Sequence, residues 1–110
     1  MSNETQLSSD VQRALKACGV WVIRTQVSGR RGARSVATGE PGMPDLYLPG
    51  YGHLEIKTGG GRLSREQVAW HSRAAQQGVR VAVVRSVQEA IRIVCAWREE
   101  QSHEKAMGWR

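Results

Sequence analysis

The sequence predicts an α/β fold, a central mixed β-sheet of about four strands flanked by helices on both faces. Apolar residues recur at helical spacing in three separate stretches. Short runs rich in β-branched and aromatic residues lie between them. The resulting order is helix, strand, two-strand hairpin, helix, strand, helix, and no repeat or linker divides the 110 residues. At 40% hydrophobic and 24% charged the composition is that of one globular domain around a single core.

In the first helix Leu7, Val11, Ala14, Leu15 and Cys18 share one face, and Gly19 ends the run as a C-terminal cap does. Gln12, Arg13 and Lys16 are left for water. Val20–Val27, rich in β-branched residues, reads as the first strand, with Arg24 and Gln26 on one of its faces. Ser28–Gly42 is dense in Gly and Arg, and Arg30, Arg31 and Arg34 meet no apolar residue before Val36. This segment is either a solvated loop or a basic arm that grips phosphates. Leu46–Leu48 and His53–Lys57 then flank Pro49-Gly50-Tyr51-Gly52, whose Pro-Gly pair signals a turn, so the two runs form a hairpin. With the turn near Gly50 and Tyr51, facing residues have numbers summing to about 100 or 101, which sets Asp45 opposite Glu55 or Ile56.

Thr58–Arg62 carries three consecutive glycines, which leave the backbone free to approach a ligand. The stretch lacks the Gly-Lys-Ser/Thr of a nucleotide-binding P-loop. Ser64-Arg65-Glu66-Gln67 fits a capping box opening the second helix, which continues to Gln77 and closes at Gly78. Trp70 reads as a core anchor between helix and sheet, with base stacking as the sharper alternative. Val79–Val84 is almost continuously apolar, suited to the interior of the sheet. Ser86-Val87-Gln88-Glu89 is a second capping box, before a helix whose Val87, Ile91, Val94 and Cys95 form the buried stripe. Beyond Trp97 the chain turns polar, and Arg98–Arg110 reads as a frayed helix end or a tail, with Trp109 available for a partner contact.

Composition narrows the chemistry. No run approaches the roughly 20 apolar residues of a membrane span, and Met1–Asp10 is polar, so neither a membrane protein nor a secretory leader is expected. This points to an intracellular protein. Cys18 and Cys95 have no metal-ligand spacing and are expected as buried free thiols. His53, His71 and His103 fall on different elements, which gives a structural zinc site little support. The net charge is +6, and thirteen of the sixteen basic residues are Arg, the better fork for phosphate. A polyanionic partner follows from that bias.

The hairpin concentrates the remaining signal. A side-chain period of two puts Glu55 and Lys57 on one face, with Leu54 and Ile56 on the other. Asp45 faces the same edge, so two carboxylates and an ammonium converge there. Adjacent carboxylates repel, and a hard divalent cation such as Mg²⁺ or Mn²⁺ relieves the repulsion while providing a Lewis acid for phosphate chemistry. Lys57 beside it would orient a water or steady charge on a phosphate. A bare Glu-x-Lys is common, and the plain reading is a surface pair worth little.

The whole string is more specific. Gly42-Met43-Pro44-Asp45-Leu46, Leu54-Glu55-Ile56-Lys57-Thr58 and Gly61-Arg62-Leu63-Ser64-Arg65-Glu66-Gln67 together resemble the virus-type replication-repair nuclease (VRR-NUC) family of the PD-(D/E)xK superfamily. The resemblance runs from about Ser9 to Ile91, most of the chain, and implies a restriction-endonuclease-like core. It also implies metal ligands at Asp45, Glu55 and the backbone carbonyl of Ile56, a water-activating Lys57, and a glutamine near the site at Gln67. One side chain is not expected to reach back to the helix cap and forward to the site at once, and the site is favoured for Gln67. Members of the family bring a further carboxylate from the first helix. Asp10 is the nearer candidate and Glu4 the weaker, although Asp10 equally suits an N-terminal cap or charge.

The function so implied is a Mg²⁺- or Mn²⁺-dependent DNA endonuclease acting on branched, Holliday-junction-like DNA. It is expected to work as a homodimer, because one small domain offers little room for a DNA cleft. Arg30, Arg31, Arg34, Arg62 and Arg65 are the candidate DNA contacts. The alternatives are a nucleic-acid-binding module without turnover and a partner-binding accessory protein. Replacing Arg30 and Arg31 together by Ala is expected to weaken DNA binding and flatten its salt dependence; an unchanged slope in a salt titration returns that segment to the solvated-surface reading.

Overall fold

The computed structural model describes residues 3–25 and 40–106. The chain runs α1 (Glu4–Ala17), β1 (Ile23–Arg24), β2 (Leu46–Leu48), β3 (Gly52–Ile56), α2 (Arg65–Gln76), β4 (Val81–Val84) and α3 (Val87–Ala106). The strands form one sheet in the order β1-β2-β3-β4. β1 and β3 each pair antiparallel with β2, and β4 pairs parallel with β3. The protein therefore has the mixed α/β architecture that its pattern predicts.

The hairpin sets the layers. Leu46 pairs with Leu54, Tyr47 with His53 and Leu48 with Gly52, the register that a turn at Gly50 and Tyr51 dictates. Gly50 takes φ +87°, a conformation that favours glycine, and Tyr51 N donates to Leu48 O at 2.8 Å to close the turn. One sheet face carries Leu46, Leu48, Leu54, Ile56 and Val84, which join Val11 and Leu15 of α1 and Ala90, Val94 and Trp97 of α3 in the main core. The other face carries Tyr47, His53 and Glu55, and α2 lies over it. All five residues of β3 are buried, because this strand is covered on both sides.

Several expectations are corrected. The first helix begins at Glu4, because Asn3 caps it by accepting from Gln6 N at 2.8 Å, so Asp10 lies in mid-helix rather than at a cap. The first strand is reduced to Ile23–Arg24 among the described residues; Val20 and Val22 enter the core without joining the ladder. β4 starts at Val81 and lies at the edge of the sheet rather than in its interior. Val79 N closes α2 by donating to Ala74 O at 2.8 Å, and Gly78 takes φ +76° beside it, so the pair belongs to the helix cap. At the start of α3, Ser86 Oγ accepts from Glu89 N at 3.1 Å, but the Glu89 carboxylate turns to Arg85 N, so the second capping box is only half formed.

The polar stretch beyond Trp97 is no tail as far as Ala106, for α3 continues through it. The hairpin turn holds it: Arg98 Nε donates to Tyr51 Oη at 3.1 Å, Gln101 to Gly50 O, and Arg80 pairs with Glu100 at 3.0 Å. Trp109 lies outside the described residues. Cys18 and Cys95 are free but exposed, not buried. Cys18 falls at the α1 C-cap, and the buried stripe of α3 runs through Ala90, Val94 and Trp97, which rotates Cys95 to solvent. Among the described residues no helix is long and apolar enough to cross a membrane.

Gly52 is the tightest joint of the sheet. A Cβ there would lie 2.6 Å from Arg80 O and 2.7 Å from Arg80 Cβ. Gly52→Ala is expected to lower stability by about 2 kcal/mol or more, read as an earlier urea midpoint, because it forces β3 off β4.

Candidate active site

Asp45 stands just before β2, where Pro44 is buried and Thr25 pins the backbone. Thr25 N donates to Asp45 O at 3.0 Å, and the Thr25 hydroxyl donates to Pro44 O and, at 3.1 Å, to Asp45 O. Thus held, the Asp45 carboxylate reaches across the hairpin, and its Oδ2 accepts from Ile56 N at 2.7 Å. This sets its charge beside Glu55. The pairing of Asp45 with Glu55 and Ile56 follows from the hairpin register alone.

Glu55 has only 1% of its surface exposed. Its Oε2 accepts from Gln67 Nε2 at 3.2 Å, and its Oε1 lies 3.2 Å from His71 Nε2. His71 donates there in the tautomer with its proton on Nε2. Burial, and then the neighbouring charge and hydrogen bond of Asp45, push the Glu55 carboxyl from its ordinary 4.5 up to about 8, with Lys57 opposing the rise and Glu4 adding to it. At neutral pH and without a cation, Glu55 therefore favours its protonated form. Burial, and secondarily the Lys57 charge, lower the affinity of His71 for a second proton, so its ring is neutral.

Lys57 follows β3, and its N–H extends the ladder to Val84 O at 3.1 Å. Its side chain is half-buried and near enough to bias both Glu55 and His71. Gly61 packs beside it: a Cβ on that glycine would lie 3.6 Å from Lys57 Cδ and 3.8 Å from Glu4 Oε2. Glu4, not Asp10, is thus the carboxylate that α1 brings to the cluster. Asp10 is engaged with Gln6 Nε2 at 3.0 Å and Arg13 Nη1 at 3.5 Å on the exposed side of the helix. Six residues of helix separate the two, about 9 Å along the axis, which explains why only the first reaches the site.

Gln67 performs both tasks, cap and site contact. Its Oε1 accepts from Ser64 N at 2.8 Å, completing the capping box, while its Nε2 donates to Glu55. The two ends of one carboxamide serve two partners. His71 escaped the sequence reading, although Gln67 and His71 are four residues apart and so share a helical face. Trp70 is not a core anchor: it is half-buried, donates from Nε1 to Glu40 Oε1 at 3.1 Å, and meets His53 edge-on at 5.0 Å. Arg62 and Arg65 are exposed beside the start of α2. Arg30, Arg31 and Arg34 lie outside the described residues.

Among the described residues no group of three or more His, Cys, Asp or Glu side chains is arranged to hold a metal ion. Mg²⁺, however, is commonly held by one or two carboxylates, with water and substrate oxygens completing an octahedron. Asp45 and Glu55 meet that requirement: each carboxylate oxygen that accepts one hydrogen bond keeps a further lone pair, and a cation would relieve the crowding that now retains a proton.

The raised Glu55 value has a thermodynamic consequence. Between pH 4.5 and about 8 the folded state holds a proton that the unfolded state has released, so stability is greatest below the lower value and falls as pH rises toward the upper one. In chelator, Glu55→Gln is expected to remove most of this slope and to raise the urea midpoint above that of the parent at pH 8.5. A parent whose midpoint is flat over this range contradicts a proton retained by buried Glu55. Comparison of the chain with protein-family models, with curated proteins and with solved structures gives no match.

Proposed function

We propose that the chain is a Mg²⁺- or Mn²⁺-dependent endodeoxyribonuclease that hydrolyses phosphodiester bonds in branched, junction-like DNA. The observation that carries this reading is the carboxylate pair of half-buried Asp45 and buried Glu55, brought together across the hairpin with Lys57 alongside and Glu55 pushed up to about 8. Such crowding is costly for a purely structural hairpin and useful where a cation takes the place of the proton on Glu55. The resemblance of the Asp45, Glu55 and Lys57 string to the VRR-NUC family leads to the same chemistry, and the arginine-rich +6 charge suits a polyanionic substrate.

In this reading Asp45 and Glu55 hold the metal, with the Ile56 carbonyl as an additional ligand. When bound, the metal supplies a Lewis acid for the phosphate and an acidified water. Gln67 Nε2 and His71 Nε2 fix the rotamer of Glu55, each on its own oxygen. Lys57 Nζ donates to the attacking water or to a non-bridging phosphate oxygen, where negative charge builds. Arg62 and Arg65 engage flanking phosphates, and Arg30, Arg31 and Arg34 extend that contact. A homodimer would set two such sites against two strands.

A second reading, a nucleic-acid-binding module without turnover, draws on the fact that both Glu55 oxygens already have protein partners. Cleavage of labelled duplex, flap and four-way-junction DNA with Mg²⁺, Mn²⁺, Ca²⁺ or chelator separates the two. Cutting is expected with Mg²⁺ or Mn²⁺ and not in chelator. Glu55→Gln and Lys57→Ala are each expected to slow it by on the order of a hundredfold or more while leaving DNA affinity within about threefold. Cutting in chelator, or none with either metal on any of these DNAs, removes the nuclease reading.

A further inference from the structure

α2 has a second working face. Gln67 and His71 turn toward Glu55, whereas Glu66, Ala69, Trp70 and Arg73, at helical spacings of three, four and seven, line an open cavity of about 350 Å³. Glu40 and Pro41 form its other wall. This wall is anchored directly on the helix. Gly42 takes φ +84°, and a Cβ there would lie 2.2 Å from Glu66 O, so only glycine lets the segment pack this closely. Met43 N closes the turn onto Glu40 O at 3.0 Å, and the Glu40 carboxylate accepts from Trp70 Nε1 at 3.1 Å. Behind the indole stands His53, edge-on at 5.0 Å and itself stacked on Tyr47 at 4.8 Å. The cavity is therefore preformed, and it lies one helical face away from the carboxylate cluster.

Its lining selects a flat occupant with N–H groups at its edge. Trp70 and Pro41 offer apolar surface for a planar ring. Glu40 and Glu66 accept hydrogen bonds from an exocyclic amino group, as carboxylates do from cytosine N4. Arg73 supplies donors for a ring carbonyl or an adjoining phosphate. A bare phosphate is disfavoured by the two carboxylates. The side chain of a basic peptide would suit them, but Arg73 in the wall and the +6 chain oppose it.

We infer that this cavity takes one unpaired nucleobase bearing an exocyclic amino group, such as cytosine, from a DNA strand close to the carboxylate site. The inference rests on the nuclease reading for its substrate class and gives that substrate a feature, a displaced base, that duplex DNA lacks.

Binding of fluorescein-labelled single strands of about twelve nucleotides, all-cytosine, all-thymine or abasic, is measured by anisotropy with the full chain in chelator. The all-cytosine strand is expected to bind roughly tenfold more tightly than the abasic one, with thymine between them. Trp70→Ala is expected to bring cytosine binding to the abasic level, while Trp70→Phe keeps part of the difference. Should Trp70→Ala fail to fold, Glu40→Ala with Glu66→Ala decides, since it is expected to abolish the preference for cytosine over thymine. Equal binding of cytosine and abasic strands, a preference that survives these substitutions, or displacement of the cytosine strand by an oligo-arginine peptide in a Trp70-dependent way overturns the inference. Because the assay needs no turnover, an inert carboxylate site with a base-selective cavity defeats only the nuclease reading. Metal-dependent cutting with base-indifferent binding defeats only the cavity.

Discussion

Two carboxylates, one sealed from water and one half-buried, are held side by side, and the hairpin register is what forces them together. Once Leu46 faces Leu54, Asp45 must reach the level of Glu55, and its side chain is committed to the Ile56 amide. The sheet then has two unlike faces. One is aliphatic and sealed by α1 and α3; the other carries His53 and Glu55 under α2, with Tyr47 on the same face but exposed. Burying an acid on that second face is unfavourable unless donors or a cation compensate, and Gln67 and His71 are placed to do so in part.

A single helix serves both halves of the functional surface. The hydrogen bonds of α2 to Glu55 come from residues four apart, and its cavity-lining positions fall on the neighbouring stripe. The helix can occupy this position because Gly42 lets residues 40–43 lie on its first turn, where a Cβ would meet Glu66 O at 2.2 Å. That glycine has no chemistry of its own. It brings the cavity wall onto the same helix that holds the acidic cluster.

Much of this was legible in the sequence, for local reasons. The Pro49-Gly50 turn fixes the register, and through it the meeting of Asp45 with Glu55 and Ile56. The Ser64 capping box fixes where α2 starts. What escaped depended on packing between distant segments. Glu4 displaced Asp10 because Asn3 starts α1 early. His71 becomes relevant only once α2 lies over β3, and Trp70 leaves the core because Glu40, thirty residues away, draws its indole outward. The helical continuation past Trp97 depends on contacts with a turn almost fifty residues earlier, which no helical periodicity encodes.

The Gln67 carboxamide joins a helix cap to a buried acid. Fraying of the first turn of α2 cannot occur without releasing Glu55 from one of its donors, so the two events form one cooperative opening unit. Backbone amides from Ser64 to Gln67 and the constraint on the Glu55 rotamer then share a single local unfolding equilibrium. The fidelity of the acid cluster over time is limited by how firmly a serine hydroxyl and one amide latch the end of a helix.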